Sequence, residues 1–434
     1  MIVCAVIALI TIIFMVCSVL IKPYVKIGKK EVGLYWIICL VGAIIMILSN
    51  CISFDQVIEG ITANTSVNPL KILTLFLSMT LLSVYLGDAG FFDYIADSVF
   101  LKSKGGTLKL FLIFYAVVSV LTIFTSNDII ILTFTPPICI FAKKAKISPL
   151  PFLFGEFIAA NTWSMALIVG NPTNIYLAQS AGIAFSEYFS TMIFPTIAGG
   201  LTSLAVLLLV FRKQLSKPIC TQEKTLSHHV NVSKVPMLVA ICHLGLGIIL
   251  LAISDFLQVE MYLICLVLAL SLTIFDLVYD LITLHTASPV LKSLKKEPYE
   301  LIPFVLSMFV IVLALKQNGI TDVLASALTS NSKLDGLVFG VMSTLSANLL
   351  NNIPMSVLFE KVVSANNSLS IYATIIGSNI GAFVTPVGAL AGIMWSKILK
   401  KYQIDMPFKK FFMYGFIVMV PTLIASVGVL LLVI

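Results

Sequence analysis

Ala159-Ala160-Asn161 through Gly170-Asn171-Pro172-Thr173-Asn174, and Gly377-Ser378-Asn379 through Thr385-Pro386-Val387-Gly388, are polar, proline-bearing interruptions inside otherwise apolar stretches. In both, an asparagine is followed nine residues later by a glycine, Asn161 to Gly170 and Asn379 to Gly388, and the copies lie 218 positions apart in a 434-residue chain. That offset is about half the protein. Helices broken at corresponding places in two halves point to a solute site at the bilayer midplane of a secondary carrier.

Composition agrees with a membrane setting. Hydrophobic residues make up 59% of the chain and charged residues 11%, with a mean hydropathy of +1.08. So little polar surface does not suit a soluble protein of this length. Apolar runs of about 20 residues, enough to cross a bilayer, recur throughout. The spacing predicts ten spans, near 1–21, 32–52, 69–86, 148–184 (interrupted), 190–211, 235–254, 259–276, 299–316, 369–396 (interrupted) and 412–432. Residues 1–21 lack a basic leader and a small-residue cleavage site, so they read as a span rather than a removed signal. Two further apolar stretches, 107–142 and 335–364, carry polar centres at Ser126-Asn127-Asp128 and Asn348 to Asn352. Each is too long for one crossing and suits a re-entrant hairpin whose tip is buried in protein.

Charge placement sets the topology. Of the 27 basic residues, all but Lys71, Lys316, Lys333 and Lys361 fall in loops assigned to the cytoplasm. Basic flanks mark the first hairpin as cytoplasmic and their scarcity marks the second as external. The expected fold is thus an all-α polytopic membrane protein with ten spans plus two re-entrant hairpins in two inverted-topology repeats. Residues 1–211 form the first repeat, 212–234 a basic cytoplasmic linker and 235–434 the second repeat, with both termini outside the plasma membrane. Positive charge confined to such loops gives no nucleic-acid surface. Amphipathic stretches at 88–104 and 318–332 precede the hairpins and read either as linkers between sliding parts or as plain solvated connectors.

A helix broken within the bilayer exposes N–H and C=O groups that side chains, water or a solute must satisfy. Pro172 and Pro386 cannot donate, and Gly170 and Gly388 permit unusual dihedrals. Asn161, Asn171, Thr173, Asn174, Asn379 and Thr385 supply amides and hydroxyls there, and the hairpin tips add Asn127, Asn351 and Asn352. These form the candidate substrate site. Helix N-termini favour an oxyanion, and C-terminal carbonyls favour a cation or a hydroxyl hydrogen. The plain alternative is that such residues serve helix packing alone.

Ionisable groups inside spans are functional candidates by default. Asp128 at the first tip and Glu156, five residues before Asn161, are the candidates for the coupling ion, H⁺ or Na⁺. Against these stand a helix cap for Asp128 and an interfacial pairing with Lys143 or Lys146 for Glu156. Asp276 and His285 read as structural, and His243 as a packing residue. The eight cysteines are scattered, with no Cys-x-x-Cys, no metal-ligand spacing and no Walker-type phosphate loop. No cofactor, metal site or enzymatic dyad is expected.

At these residues the chain resembles the arsenite permeases, the arsenical pump membrane proteins of the ion transporter superfamily, which is related to citrate and dicarboxylate carriers. The resemblance rests on Gly87-Asp88-Ala89-Gly90-Phe91-Phe92, Ser126-Asn127-Asp128 with Thr135-Pro136, Asn351-Asn352-Ile353-Pro354, and Ile380-Gly381 through Thr385-Pro386-Val387-Gly388-Ala389-Leu390-Ala391 with Trp395. It implies a scaffold and a moving transport domain that holds hairpins and broken spans. It also implies export of arsenite or antimonite in exchange for protons, in some members with a partner ATPase. Asn161 and Asn379 depart from it, because the family often has Asp there; an amide bonds hydroxyls but cannot titrate. Two other readings stand beside arsenic resistance: a Na⁺-coupled carboxylate or inorganic anion symporter, and a Na⁺/H⁺ antiporter. Arg212, the lone arginine, lies in a loop, so the site lacks the usual carboxylate clamp. A homodimer is left open.

Overall fold

The computed structural model describes residues 1–21, 24–27, 30–63, 68–101, 106–218, 232–329, 334–363 and 367–434. Most of the expected 212–234 linker lies outside the described residues, as do Lys22, Lys29, Lys102, Lys104 and Lys333. The described chain is helical apart from one antiparallel pair of strands, Tyr24–Ile27 and Lys30–Gly33, which the sequence reading did not anticipate.

Seven of the described helices are long and apolar enough to cross a bilayer, and an eighth is counted if Leu301–Gln317 and Ile320–Leu328, bent by 80°, make one span. The larger sequence-based number has identifiable sources. Leu34–Leu48 has only 15 residues, and each interrupted span divides into two helices too short to cross alone. Conversely, the first arm of the first hairpin, Thr107–Phe124, is itself of spanning length.

Local chemistry fixes several helix starts. Asn68 accepts from the N–H groups of Leu70 and Lys71 at 2.8 and 3.2 Å ahead of Pro69, so Pro69–Asp88 begins with its first donors satisfied. Ser53 and Gln56 form a reciprocal capping box at Phe54–Thr62, a helix not expected from the hydrophobic pattern. The amphipathic stretches appear as short helices, Phe91–Leu101 and Ile320–Leu328. His243 bonds the Val239 carbonyl and Ser271, as a satisfied packing residue should.

Contacts between elements are reciprocal. Pro69–Asp88 packs on Met261–Thr283, and Leu301–Gln317 on Leu34–Leu48. Thr107–Phe124 packs on Leu150–Trp163, and Leu334–Leu350 on Ser368–Gly381. The second hairpin arms cross over: Asn127–Ala145 lies against Leu390–Lys401, and Asn352–Val362 against Pro172–Ser180. Phe185–Val210 and Phe408–Val433 pack on one another. Large apolar side chains such as Leu238, Ile249, Val267 and Ile274 face outward, as lipid-facing positions do.

Candidate functional site: a polar network between two broken helices

Leu150–Trp163 ends at Trp163, passes through two single 3₁₀ turns, Ser164–Ala166 and Ile168–Gly170, and restarts as Pro172–Ser180. Asn171 caps the restart, accepting from the Thr173 N–H at 3.2 Å, and Pro172 takes the first helical position where no donor is needed. Gly170 is required by space: a Cβ there would lie 2.2 Å from the Ser164 carbonyl oxygen. In the other copy, Ser368–Gly381 ends, Thr385 is extended, Pro386–Gly388 makes one 3₁₀ turn and Leu390–Lys401 follows. Gly388 is held by a looser version of the same constraint, with a Cβ 3.0 Å from the Ala382 Cα.

The two breaks meet through Asn379. Its side-chain oxygen accepts from the Asn171 amide at 2.7 Å and from the Ser164 hydroxyl at 3.1 Å. Its own amide donates to the Asn174 side-chain oxygen and to the Ile375 carbonyl, both at 2.8 Å. Thr173 and Ser378 hydroxyls pair at 3.1 Å, and Asn174 turns its amide back to the Ser164 and Leu167 carbonyls at 2.8 and 3.2 Å. All of these side chains are buried. Such a network stands only if fully bonded, because an unpaired polar group in a low-dielectric interior is expensive.

Each hairpin tip attaches to this centre differently. Asn127, at the start of Asn127–Ala145, donates to the Asn161 side-chain oxygen at 3.1 Å, while Asn161 donates to the Phe157 carbonyl at 2.8 Å. Asn351 donates to the Val387 carbonyl inside the second break at 2.7 Å and caps Asn352–Val362 through the Ile353 N–H. It does so at φ +75° and ψ 152°, an extended positive-φ conformation otherwise confined almost to glycine, so the backbone is strained at this tip. Thr385 donates to the Asn348 side-chain oxygen at 2.8 Å, and Asn348 donates to the Thr344 and Gly381 carbonyls. Asn352 is buried with its side-chain oxygen unpaired.

The structure therefore gathers Asn127, Asn161, Asn171, Thr173, Asn174 and Asn379 around one centre and groups Asn351 and Thr385 at the second break. Ser164, Ser378 and Asn348 join them without having been singled out as site residues. Ser164 has no partner by the 218-residue offset, which lands on Ala382, so the repeat could not reveal it. Ser378 lay within the quoted motif, and Asn348 opened the second polar centre.

Asp128 is half-buried at the start of its helix, its N–H bonded to the Asn127 side chain at 2.9 Å. Glu156 is fully buried, with both carboxylate oxygens 3.0 Å from the Thr135 hydroxyl. That hydroxyl also lies 2.6 Å from the Ile131 carbonyl. A hydroxyl has one hydrogen. If it goes to Ile131, the bond between Thr135 and Glu156 needs a proton on Glu156; if Glu156 is ionised, the hydrogen turns to the carboxylate. Neither Lys143 nor Lys146 forms the interfacial pair with Glu156.

A cavity of about 300 Å³ is lined by Pro386 and Val387 of the second break together with Lys397 and Lys400.

Comparison with known proteins follows the same lines. A family model described as "Citrate transporter" matches residues 29–372. An arsenical pump membrane protein of Escherichia coli is 25% identical over 420 residues, covering 93% of this chain and 94% of its own length. That of Yersinia enterocolitica is 25% identical over 375 residues, covering 82% and 85%. Among solved structures, the YdaH transporter of Alcanivorax borkumensis is similar in fold, with a TM-score of 0.57 at 13% identity over 99% of this chain and 97% of that one. The resemblance read from the motifs thus extends over most of the chain.

Proposed function

This chain belongs to the citrate transporter family, and from that premise we propose that it is a secondary carrier of a small inorganic solute, moving arsenite or antimonite out of the cell in exchange for protons. The observation that carries the proposal is the network around Asn379. It joins both breaks with neutral amides and hydroxyls, groups that match a neutral, hydroxylated solute able to both donate and accept. The names borne by the Escherichia coli and Yersinia relatives support the same solute class.

The two halves act as inverted repeats, 1–211 and 235–434, around the 212–234 linker, with ten crossings and hairpins entering from opposite faces of the plasma membrane. The reciprocal contacts support this arrangement, since exchanging the halves maps each packing pair onto another. Glu156 is the favoured proton carrier. The Thr135 hydroxyl accommodates either protonation state by rotating, so a proton can be taken up without leaving a buried donor unpaired. Asp128 lies nearer the tip and is the second candidate. A partner ATPase and a homodimer stay outside this proposal.

A second reading, an anion symporter, is favoured by one observation. Lys397 and Lys400 line the same cavity as Pro386 and Val387 of the second break, and such a lining attracts anions. Flux into proteoliposomes separates the two: labelled arsenite driven by a proton gradient supports the first, and labelled citrate or sulfate driven by Na⁺ replaces it with the second.

A further inference from the structure

Glu297 lies beyond the short helix Ser288–Leu294, outside the spanning segments, yet it is only 7% exposed and neither of its carboxylate oxygens has a hydrogen-bond partner among the described residues. The helices Pro69–Asp88, Met261–Thr283 and Ser288–Leu294 pack together at this point. From the first, Tyr85 presents a buried, unpartnered hydroxyl, and Asp88 sits at the helix end. The second contributes Asp276, 8% exposed with one oxygen unpartnered, and Asp280. The third and its exit add Ser293, Lys292, Lys295, Lys296 and the partly exposed Tyr299. Glu300, next in sequence, is engaged elsewhere, with the Gly33 N–H and the Tyr35 hydroxyl.

The ammonium adjacent to Glu297 in sequence is committed to a different carboxylate. Lys296 is ion-paired with Asp88, and the Ser293 hydroxyl donates to Asp88 at 2.5 Å. Asp88 is followed by Ala89 and Gly90, the latter at φ +87°, a sharp elbow into Phe91–Leu101. That helix packs on Asn127–Ala145, the second arm of the first hairpin. Lys296 thus fastens the elbow that connects a long packed helix to the hairpin, while the neighbouring Glu297 has no counter-charge of its own.

We propose that Glu297, with Asp276 and Tyr85 around it, is a proton-binding site on the lysine-rich face that decides whether Lys296 holds Asp88. With Glu297 protonated, Lys296 has one carboxylate to serve and the elbow is pinned. Loss of the proton puts a buried anion one residue from Lys296 and against Tyr85, which also feels Asp276. The ammonium is then drawn from Asp88 toward Glu297, and the elbow loosens. Burial raises the Glu297 carboxyl to about 8, so the change falls in the range a cytoplasm can visit. The positive-inside rule places this face in the cytoplasm. Its effect on hairpin motion rests on the transporter reading; proton binding itself does not.

The test uses the full chain in lipid. Infrared difference spectra recorded from pH 6 to pH 9.5, roughly the range around a carboxyl perturbed by burial, follow protonated-carboxyl bands. Hydrogen exchange of residues 91–101, corrected for intrinsic chemistry, follows the elbow. Wild type is expected to lose one carboxyl band near the Glu297 value while helix opening rises several-fold; Glu297→Gln is expected to lack that band and keep low exchange throughout. Lys296→Gln should exchange rapidly at every pH. If Glu297→Gln does not fold, Glu297→Asp keeps the proton and should move the midpoint of both signals together. An unchanged band in Glu297→Gln, or equal exchange of wild-type 91–101 at both ends of the range, overturns the proposal whatever the transported solute proves to be.

Discussion

Asn379 makes more bonds between the halves than any other residue described, and its chemistry explains why an amide serves there. It accepts from Asn171 and Ser164 and donates to Asn174 and Ile375. A carboxylate could do only the accepting half. Asn379→Ala and Asn161→Ala are each predicted to reduce solute flux at least tenfold while a monodisperse folded fraction is still recovered; full flux in both would remove the site from this place. Thr135→Val keeps the shape of the side chain but strips Glu156 of its hydroxyl partner. It is predicted to destabilise by roughly 1–3 kcal/mol, the usual penalty for a buried polar group left unpaired, and to weaken proton exchange more than solute binding. At Glu297 the sign is set by burial. A carboxyl raised to about 8 in the folded chain contributes its full stability below the ordinary carboxyl range, and that contribution is lost as pH rises through 8. Thermal midpoints of wild type should therefore fall between mildly acidic and mildly alkaline pH, and those of Glu297→Gln should fall less.

Among elements, the crossing of Leu334–Leu350 with Ser368–Gly381 is a close approach that one substitution can probe. Gly377 and Gly381, one turn apart, let the two helices approach. A Cβ on Gly377 would stand 1.9 Å from the Ser343 hydroxyl and 2.4 Å from the Gly340 carbonyl. Small residues one turn apart are the usual means of close helix contact in lipid. Gly377→Ala is predicted to destabilise by about 1–3 kcal/mol through overpacking, read as a lower melting temperature in detergent; an unchanged value would mean the crossing relaxes freely. At this level the sequence was informative wherever apolar length or a proline set the outcome. Both breaks and the two amphipathic helices were legible, and each expected hairpin tip falls between two helices. What was not legible depended on partners distant in sequence: Ser164 is an ordinary helical serine until Asn379 comes within 3.1 Å. Likewise, Phe54–Thr62 is specified by a capping box rather than by a hydrophobic run. The number of crossings was the least legible feature, because length alone does not separate a crossing from a hairpin arm: Leu34–Leu48 has 15 residues and Thr107–Phe124 has 18.

For the whole molecule, the proposed inversion puts the two amphipathic helices on opposite sides of the membrane. Tyr94 on Phe91–Leu101 and Val323 on Ile320–Leu328 are both more than half exposed. In a background lacking the exposed Cys17 and Cys242, an impermeant thiol reagent applied to intact cells should label Val323→Cys and not Tyr94→Cys, and permeabilisation should reverse the contrast. Labelling of both from one side would remove the inversion between the halves. Under the proposed inversion the reciprocal packing would have a purpose: Asn127–Ala145 and Asn352–Val362 each lie on the restarted helix of the other half, a contact that would carry movement of one tip to the opposite break. The site between the two breaks is tested most sharply by gradient-driven flux of labelled arsenite in proteoliposomes, comparing wild type with Asn161→Ala and Asn379→Ala. Proton-driven arsenite movement is expected in wild type and its loss in both variants; flux that persists undiminished when both asparagines are gone would rule the site out.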